Sequence, residues 1–139
     1  MNYIKSVCSK LGLDNNVLFL GFVPIDEIYS FYRNATALVM ATYFGPTNMP
    51  PIEAMELGCP VICSDIPGHH EILGDAAIYF QANNFESIYL AMIKIIESRD
   101  FYKDILEKRK QSSAFTIENA LSNINKYLKE LVVIRSNWD

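Results

Sequence analysis

Ala41-Thr42-Tyr43-Phe44-Gly45-Pro46-Thr47-Asn48-Met49-Pro50-Pro51-Ile52-Glu53-Ala54-Met55-Glu56-Leu57-Gly58-Cys59-Pro60-Val61-Ile62 is the stretch from which the fold of this chain is read. It begins at the end of an apolar run, 37–41, that lacks polar alternation and so suits a strand covered on both faces. Gly45-Pro46-Thr47-Asn48 is turn chemistry. Asn48 is a candidate N-cap, Pro50 and Pro51 suit a first helical turn, and Gly58 suits the position just past a helix end. Residues 60–64 are apolar again and read as a second buried strand. A loop leaving a parallel strand and entering a helix places unpaired backbone N–H groups and partial positive charge near the loop, which favours an anion such as a phosphate. Glu53, read as lying in the first turn, either complements the helix dipole or accepts hydrogen bonds from a ribose diol beside that phosphate.

Outward from this centre, strands and helices alternate. Further strands are expected at 17–20 and 76–80, and helices over 2–12, from Pro24 to Asn34, over 85–97 and over 101–111. A long terminal helix is expected over 112–134. Alternation of this kind implies an α/β fold: a Rossmann-like, mostly parallel sheet of about four strands flanked by helices. The chain has 139 residues and reads as a single α/β domain, 1–139.

Composition narrows the function classes. Half the residues are apolar, a fifth are charged, and the net charge is −4. Without a basic stripe, nucleic acid is not an expected partner. No apolar run approaches the roughly 20 residues that cross a bilayer, and the N-terminus lacks a signal-peptide layout. Cys8, Cys59 and Cys63 form no CxxC pair and read as free core thiols, which suits a reducing cytoplasm. Pro67, Gly68, His69 and His70 read as a loop after the strand at 60–64. They are either exposed loop residues or, because that loop leaves the carboxyl end of a strand, part of a ligand-facing edge. Adjacent histidines do not share a helix face, so no metal site is expected.

The run Met49 to Asp65 resembles the signature of the family 4 glycosyltransferases, retaining enzymes of GT-B architecture. The resemblance extends upstream through Asn16 to Val23 and downstream through Glu71 to Ala77, covering roughly residues 5–97. It implies that the chain is part of the C-terminal, donor-binding domain of such an enzyme. It further implies transfer of a hexose from a nucleotide-diphosphate sugar to an acceptor hydroxyl, in polysaccharide or glycoconjugate synthesis, without metal or cofactor. By the same resemblance the donor contacts are Gly45, Pro46, Thr47, Asn48, Met49, Pro50 and Glu53, with Glu53 on the ribose. Pro67, Gly68 and His69 then form a donor-side loop. One departure stands out. The family pattern is Glu-x7-Glu, and Gly45 occupies the first glutamate's place, with no side chain to bond sugar hydroxyls. Thr47 or Asn48 is a candidate for part of that role. No residue is assigned as general base.

Donor domains of the resembled family begin one strand-helix-strand unit earlier, so the chain is expected to be a fragment truncated on its N-terminal side. It is also expected to lack the acceptor domain and to be inactive alone. Unpaired strand edges would follow, repaired either by direct pairing of 17–20 with 37–41 or, the preferred expectation, by a homodimer through strand edges or exchange of the first helix. Two other classes compete. One is a non-catalytic α/β protein-interaction module. The other is a flavodoxin-like regulatory domain, for which only Asp65 is placed as a phospho-acceptor would be.

Overall fold

Val61–Ser64 is the strand around which the sheet assembles, because all four of its residues are buried. In the computed structural model, which describes residues 2–45, 49–112 and 117–136, this strand (β2) is the middle of three. Leu38–Met40 (β1) and Ala77–Phe80 (β3) flank it in the order β1-β2-β3. Both pairings are parallel, with Leu38 opposite Val61 and Val61 opposite Ala77. A parallel ladder needs a crossover between successive strands, and helices supply it here. Met49–Glu56 (α3) joins β1 to β2, and Pro67–Leu73 with a short 3-10 turn joins β2 to β3.

The two sheet faces bury two clusters. Alternation along β2 sends Val61 and Cys63 to one, with Ala54, Met55, Leu73 and Leu106. Ile62 goes to the other, with Ile78, Phe80, Ala91, Ile95 and Tyr102. Phe85–Glu97 supplies Ala91 and Ile95 to the second cluster. Arg99–Ser112 contributes Leu106 to the first and Tyr102 to the second. The helix over Phe85–Glu97 is capped by Asn84, whose side-chain oxygen accepts from the N–H groups of Glu86 and Ser87 at 3.0 and 3.1 Å. Gly58 ends α3 with φ +76°, a conformation that disfavours a Cβ, and the Cys59 N–H closes on the Ala54 carbonyl at 2.8 Å. The terminal helix runs over Ile117–Ser136 and carries exposed Leu121, Ile124, Leu128 and Leu131.

The chain divides into two compact units, 1–31 and 32–139, the second carrying the sheet. In the first, helix Asn2–Lys10 (α1) buries Cys8 and stops at Gly12, φ +69°. The second helix of the chain, Ile25–Asn34 (α2), begins in the first unit.

Two sequence expectations are corrected. Residues 17–20 form no strand, so the sheet has three strands rather than about four, and the expected pairing of 17–20 with 37–41 is absent. An apolar run becomes a strand only where a neighbouring backbone completes its ladder. Residues 17–20 belong to no ladder, and Leu18 stays 75 % exposed. The expected loop at 65–70 is largely helix: Pro67–Leu73 (α4) starts immediately after an extended Ile66. Proline at the first helical position carries a preset φ and needs no amide partner, and the residue before it prefers extended backbone.

Cys63 is fully buried, and its thiol is pushed up from 9.0 to about 12, first by burial and then by the charge of Asp65. The unfolded thiol ionises near its ordinary value, so this contribution to stability is complete below about pH 9 and is lost as pH rises toward about 12. Iodoacetamide at pH 8.5 is expected to label Cys63 at least about a hundredfold more slowly in the native chain than in urea. Peptide mass spectrometry reads the result, and equal labelling rates would contradict the burial.

Candidate functional site

The carboxyl ends of β1 and β2 are tied together by one serine. Ser64 Oγ accepts from the Thr42 N–H at 3.2 Å and donates to the Thr42 carbonyl at 2.5 Å. Thr42 in turn donates through Oγ1 to the Phe44 carbonyl at 2.7 Å, curling the chain as it leaves β1. The Ser64 carbonyl accepts from His69 Nδ1 at 2.7 Å. A carbonyl can only accept, so Nδ1 carries the proton. His69 is 0 % exposed, which removes it from the exposed-loop reading and makes it the internal tie between β2 and α4.

That tie brings two of the sequence-predicted residues together. A Cβ built on Gly68 would lie 3.2 Å from the Gly45 carbonyl oxygen, closer than ordinary contact. The segment leaving β1 and the first turn of α4 therefore lie against each other, and a hydrogen at position 68 permits it. A Gly68→Val substitution is expected to displace this segment, shifting the amide signals of Phe44 and Gly45 in a heteronuclear spectrum while leaving those of β2 in place. Unmoved signals at 44 and 45 would show that the approach is not maintained in solution.

Of the remaining candidates, Met49 and Pro50 open α3, with Met49 exposed and Pro50 half-buried. Pro46, Thr47 and Asn48, and with them the expected N-cap, lie outside the described residues. Counting from Met49, Glu53 is the fifth helical residue, so it sits in the second turn and not the first. The double proline has a consequence that the turn signals concealed. Of the first three helical residues, whose amides have no carbonyl four back within the helix, Pro50 and Pro51 have no N–H, so Met49 is left to offer a donor there. The peptide dipoles still align, but the amide cradle is thinner than the sequence reading assumed.

Glu53 is half-buried, and its Oε2 accepts a hydrogen bond from the Tyr32 hydroxyl at 3.3 Å. Burial, then the charge of Glu53 and the hydrogen bond to it, push the Tyr32 phenol above its ordinary 10.0, so the phenol stays a donor through neutral pH. Sequence reasoning placed Tyr32 only on an apolar stripe. Nothing local distinguishes a stripe tyrosine from one whose hydroxyl meets a carboxylate 21 residues away.

A separate cavity of about 410 Å³ opens past the carboxyl ends of β2 and β3, between Asp65, Tyr79, Gln81, Asn84 and Glu86. Two of its polar side chains, Asp65 and Asn84, are engaged locally. Asp65 pairs with His70 at 2.6 Å, His70 stacks on Tyr79 with centroids 3.8 Å apart, and Asn84 caps its helix. Glu53 does not line it. Among the described residues no three His, Cys, Asp or Glu side chains gather as a metal site, and no helix is long and apolar enough to cross a membrane.

Residues 2–112 match the family described as "Glycosyl transferases group 1". The chain belongs to that family. Two relatives of the chain are named for mannosyl transfer. The O-antigen chain mannosyltransferase RfbU of Salmonella typhimurium is 40 % identical over 94 residues, 68 % of this chain and 26 % of the relative. The O-antigen chain mannosyltransferase B of Escherichia coli is 28 % identical over 114 residues, 80 % of this chain and 30 % of the relative. The fold matches a sucrose-phosphate synthase from Thermosynechococcus elongatus with a TM-score of 0.80 at 20 % identity, covering 96 % of this chain and 34 % of that one. The chain thus spans less than a third of either mannosyltransferase, and it shares the α/β, GT-B type fold expected for it.

Proposed function

We propose that this chain is the donor-binding portion of a retaining glycosyltransferase that takes mannose, or a closely related hexose, from a nucleotide diphosphate to an acceptor hydroxyl of a surface polysaccharide. The observation that carries the reading is Glu53: a half-buried carboxylate on the helix that follows β1, with one oxygen engaged by Tyr32, in a chain of the group 1 family. The mannose assignment rests on the names of the two relatives. Glu53 accepts from the ribose hydroxyls. The diphosphate lies toward the start of α3, where the Met49 amide and the helix dipole stabilise charge developing on the leaving group. One amide does not balance a diphosphate, so its countercharge comes from parts of the enzyme beyond these residues. No step calls for a metal or cofactor, and alone the chain binds nucleotide weakly and transfers little or nothing. A reducing, cytoplasmic setting is part of this reading, and the free, buried thiols are what supports it.

Titrating uridine and guanosine diphosphates into the labelled chain tests this. Shifts concentrated at Gly45, Met49, Ile52 and Glu53 are expected, and a titration that moves none of them would end the proposal.

A homodimer is the assembly this reading favours. Among the described residues β1 pairs with β2 alone, so its other edge offers backbone groups to a second copy. Small-angle scattering should show a dimer at high concentration, and a compact monomer there would dismiss it. The interaction-module alternative draws on the exposed apolar residues of the helix Ile117–Ser136. It predicts that neither diphosphate moves the Glu53 signal.

A further inference from the structure

We propose that Tyr32 is a positioning residue for Glu53, holding Oε2 so that the rest of the carboxylate is presented to the two ribose hydroxyls of a nucleoside diphosphate. The inference rests on the donor-binding reading above and adds to it a residue from a different helix, α2.

The chemistry is a matter of counting lone pairs. An ionised carboxylate offers about four acceptor positions. Tyr32 occupies one, and no hydrogen bond from another described group to the Glu53 carboxylate is seen. About three positions remain, enough for a vicinal diol to donate to both oxygens. An unheld glutamate side chain samples several rotamers and must be ordered when ligand arrives, at a cost in side-chain entropy. A phenol that is half-buried and anchored among the packed residues around Ala54 and Met55 restricts that sampling in advance. The O···O separation of 3.3 Å is longer than a typical hydroxyl–carboxylate bond, so the phenol steers Oε2 while leaving most of the carboxylate's acceptor capacity to the diol.

Tyr32→Phe removes the hydroxyl and keeps the ring, so packing is maintained. The experiment measures calorimetric affinity for guanosine and uridine diphosphates and for their 2′,3′-dideoxy counterparts, in the natural chain and in Tyr32→Phe. The natural chain should prefer the ribose form of whichever base binds. In Tyr32→Phe that preference should shrink roughly three- to tenfold, with dideoxy affinity unchanged. An equal loss for both forms would mark Tyr32 as structural, and an undiminished preference would mark it as irrelevant to the diol; either overturns the proposal while leaving the nucleotide site standing. Absence of any binding in the natural chain would instead remove the donor-binding reading, and this proposal with it. A second readout needs no ligand. In Glu53→Gln the Tyr32 phenol should ionise at lower pH than in the natural chain, and an unmoved titration would show that the two groups do not meet.

Discussion

Phe80→Ala is expected to lower the unfolding free energy by about 3–5 kcal/mol. Phe80 is 2 % exposed and ends β3, where its ring packs into the cluster of Ile62, Ile78, Ala91, Ile95 and Tyr102. Removing the ring forfeits the transfer free energy of a large side chain. It also leaves a cavity between sheet and helix that rigid backbone cannot fill. A domain of this size has only about 5–15 kcal/mol in total, so the variant stands near the edge of folding. Urea denaturation followed by circular dichroism measures the change. Phe85→Ala provides the control: Phe85 is exposed at the start of its helix, and its loss should cost less than about 0.5 kcal/mol. Equal effects at the two positions would mean that the second cluster is not a packed core.

Glu53→Ala should weaken nucleoside diphosphate binding roughly ten- to a hundredfold, the loss of about 1.4–3 kcal/mol that follows when hydrogen bonds to a charged group are removed. The fold should survive. Among described groups the Glu53 side chain bonds to Tyr32, and replacing a half-buried helical glutamate outside both buried clusters by alanine removes no core residue. A stability change under about 1 kcal/mol is therefore expected. Glu53→Gln, which keeps an acceptor and loses the charge, should fall between alanine and the natural residue. Calorimetric titration gives the affinity and thermal melting the stability. If Glu53→Ala unfolds the chain while nucleotide affinity of the surviving fraction is unchanged, Glu53 is a structural residue and the ribose contact is wrong.

How far the sequence reads depends on whether the determining interaction is local. The strands at 37–41, 60–64 and 76–80 and the helix after the central loop were legible because apolar runs, Gly58 and the prolines act within a few residues. The motif around Glu53 was legible because a loop, a helix start and a carboxylate follow one another in the chain. The terms that went astray are non-local. Residues 17–20 have strand composition and no ladder, and His69 has the look of a loop residue until the Ser64 carbonyl and the core close over it. The double proline at 50 and 51 did two things at once: it signalled the helix start correctly and removed the donors that a helix start is expected to offer.

From its letters alone this chain reads as a parallel α/β protein, because hydrophobic period, turn chemistry and capping are written in neighbouring positions, and its resemblance to the group 1 glycosyltransferases is carried by the letters too. Only the folded arrangement decides that Ser64 and His69 lock the two strand ends, that Gly68 lies against Gly45, and that Tyr32 reaches Glu53. Those contacts join residues far apart in the chain, and their existence depends on burial, register and helix crossing, which no single segment encodes.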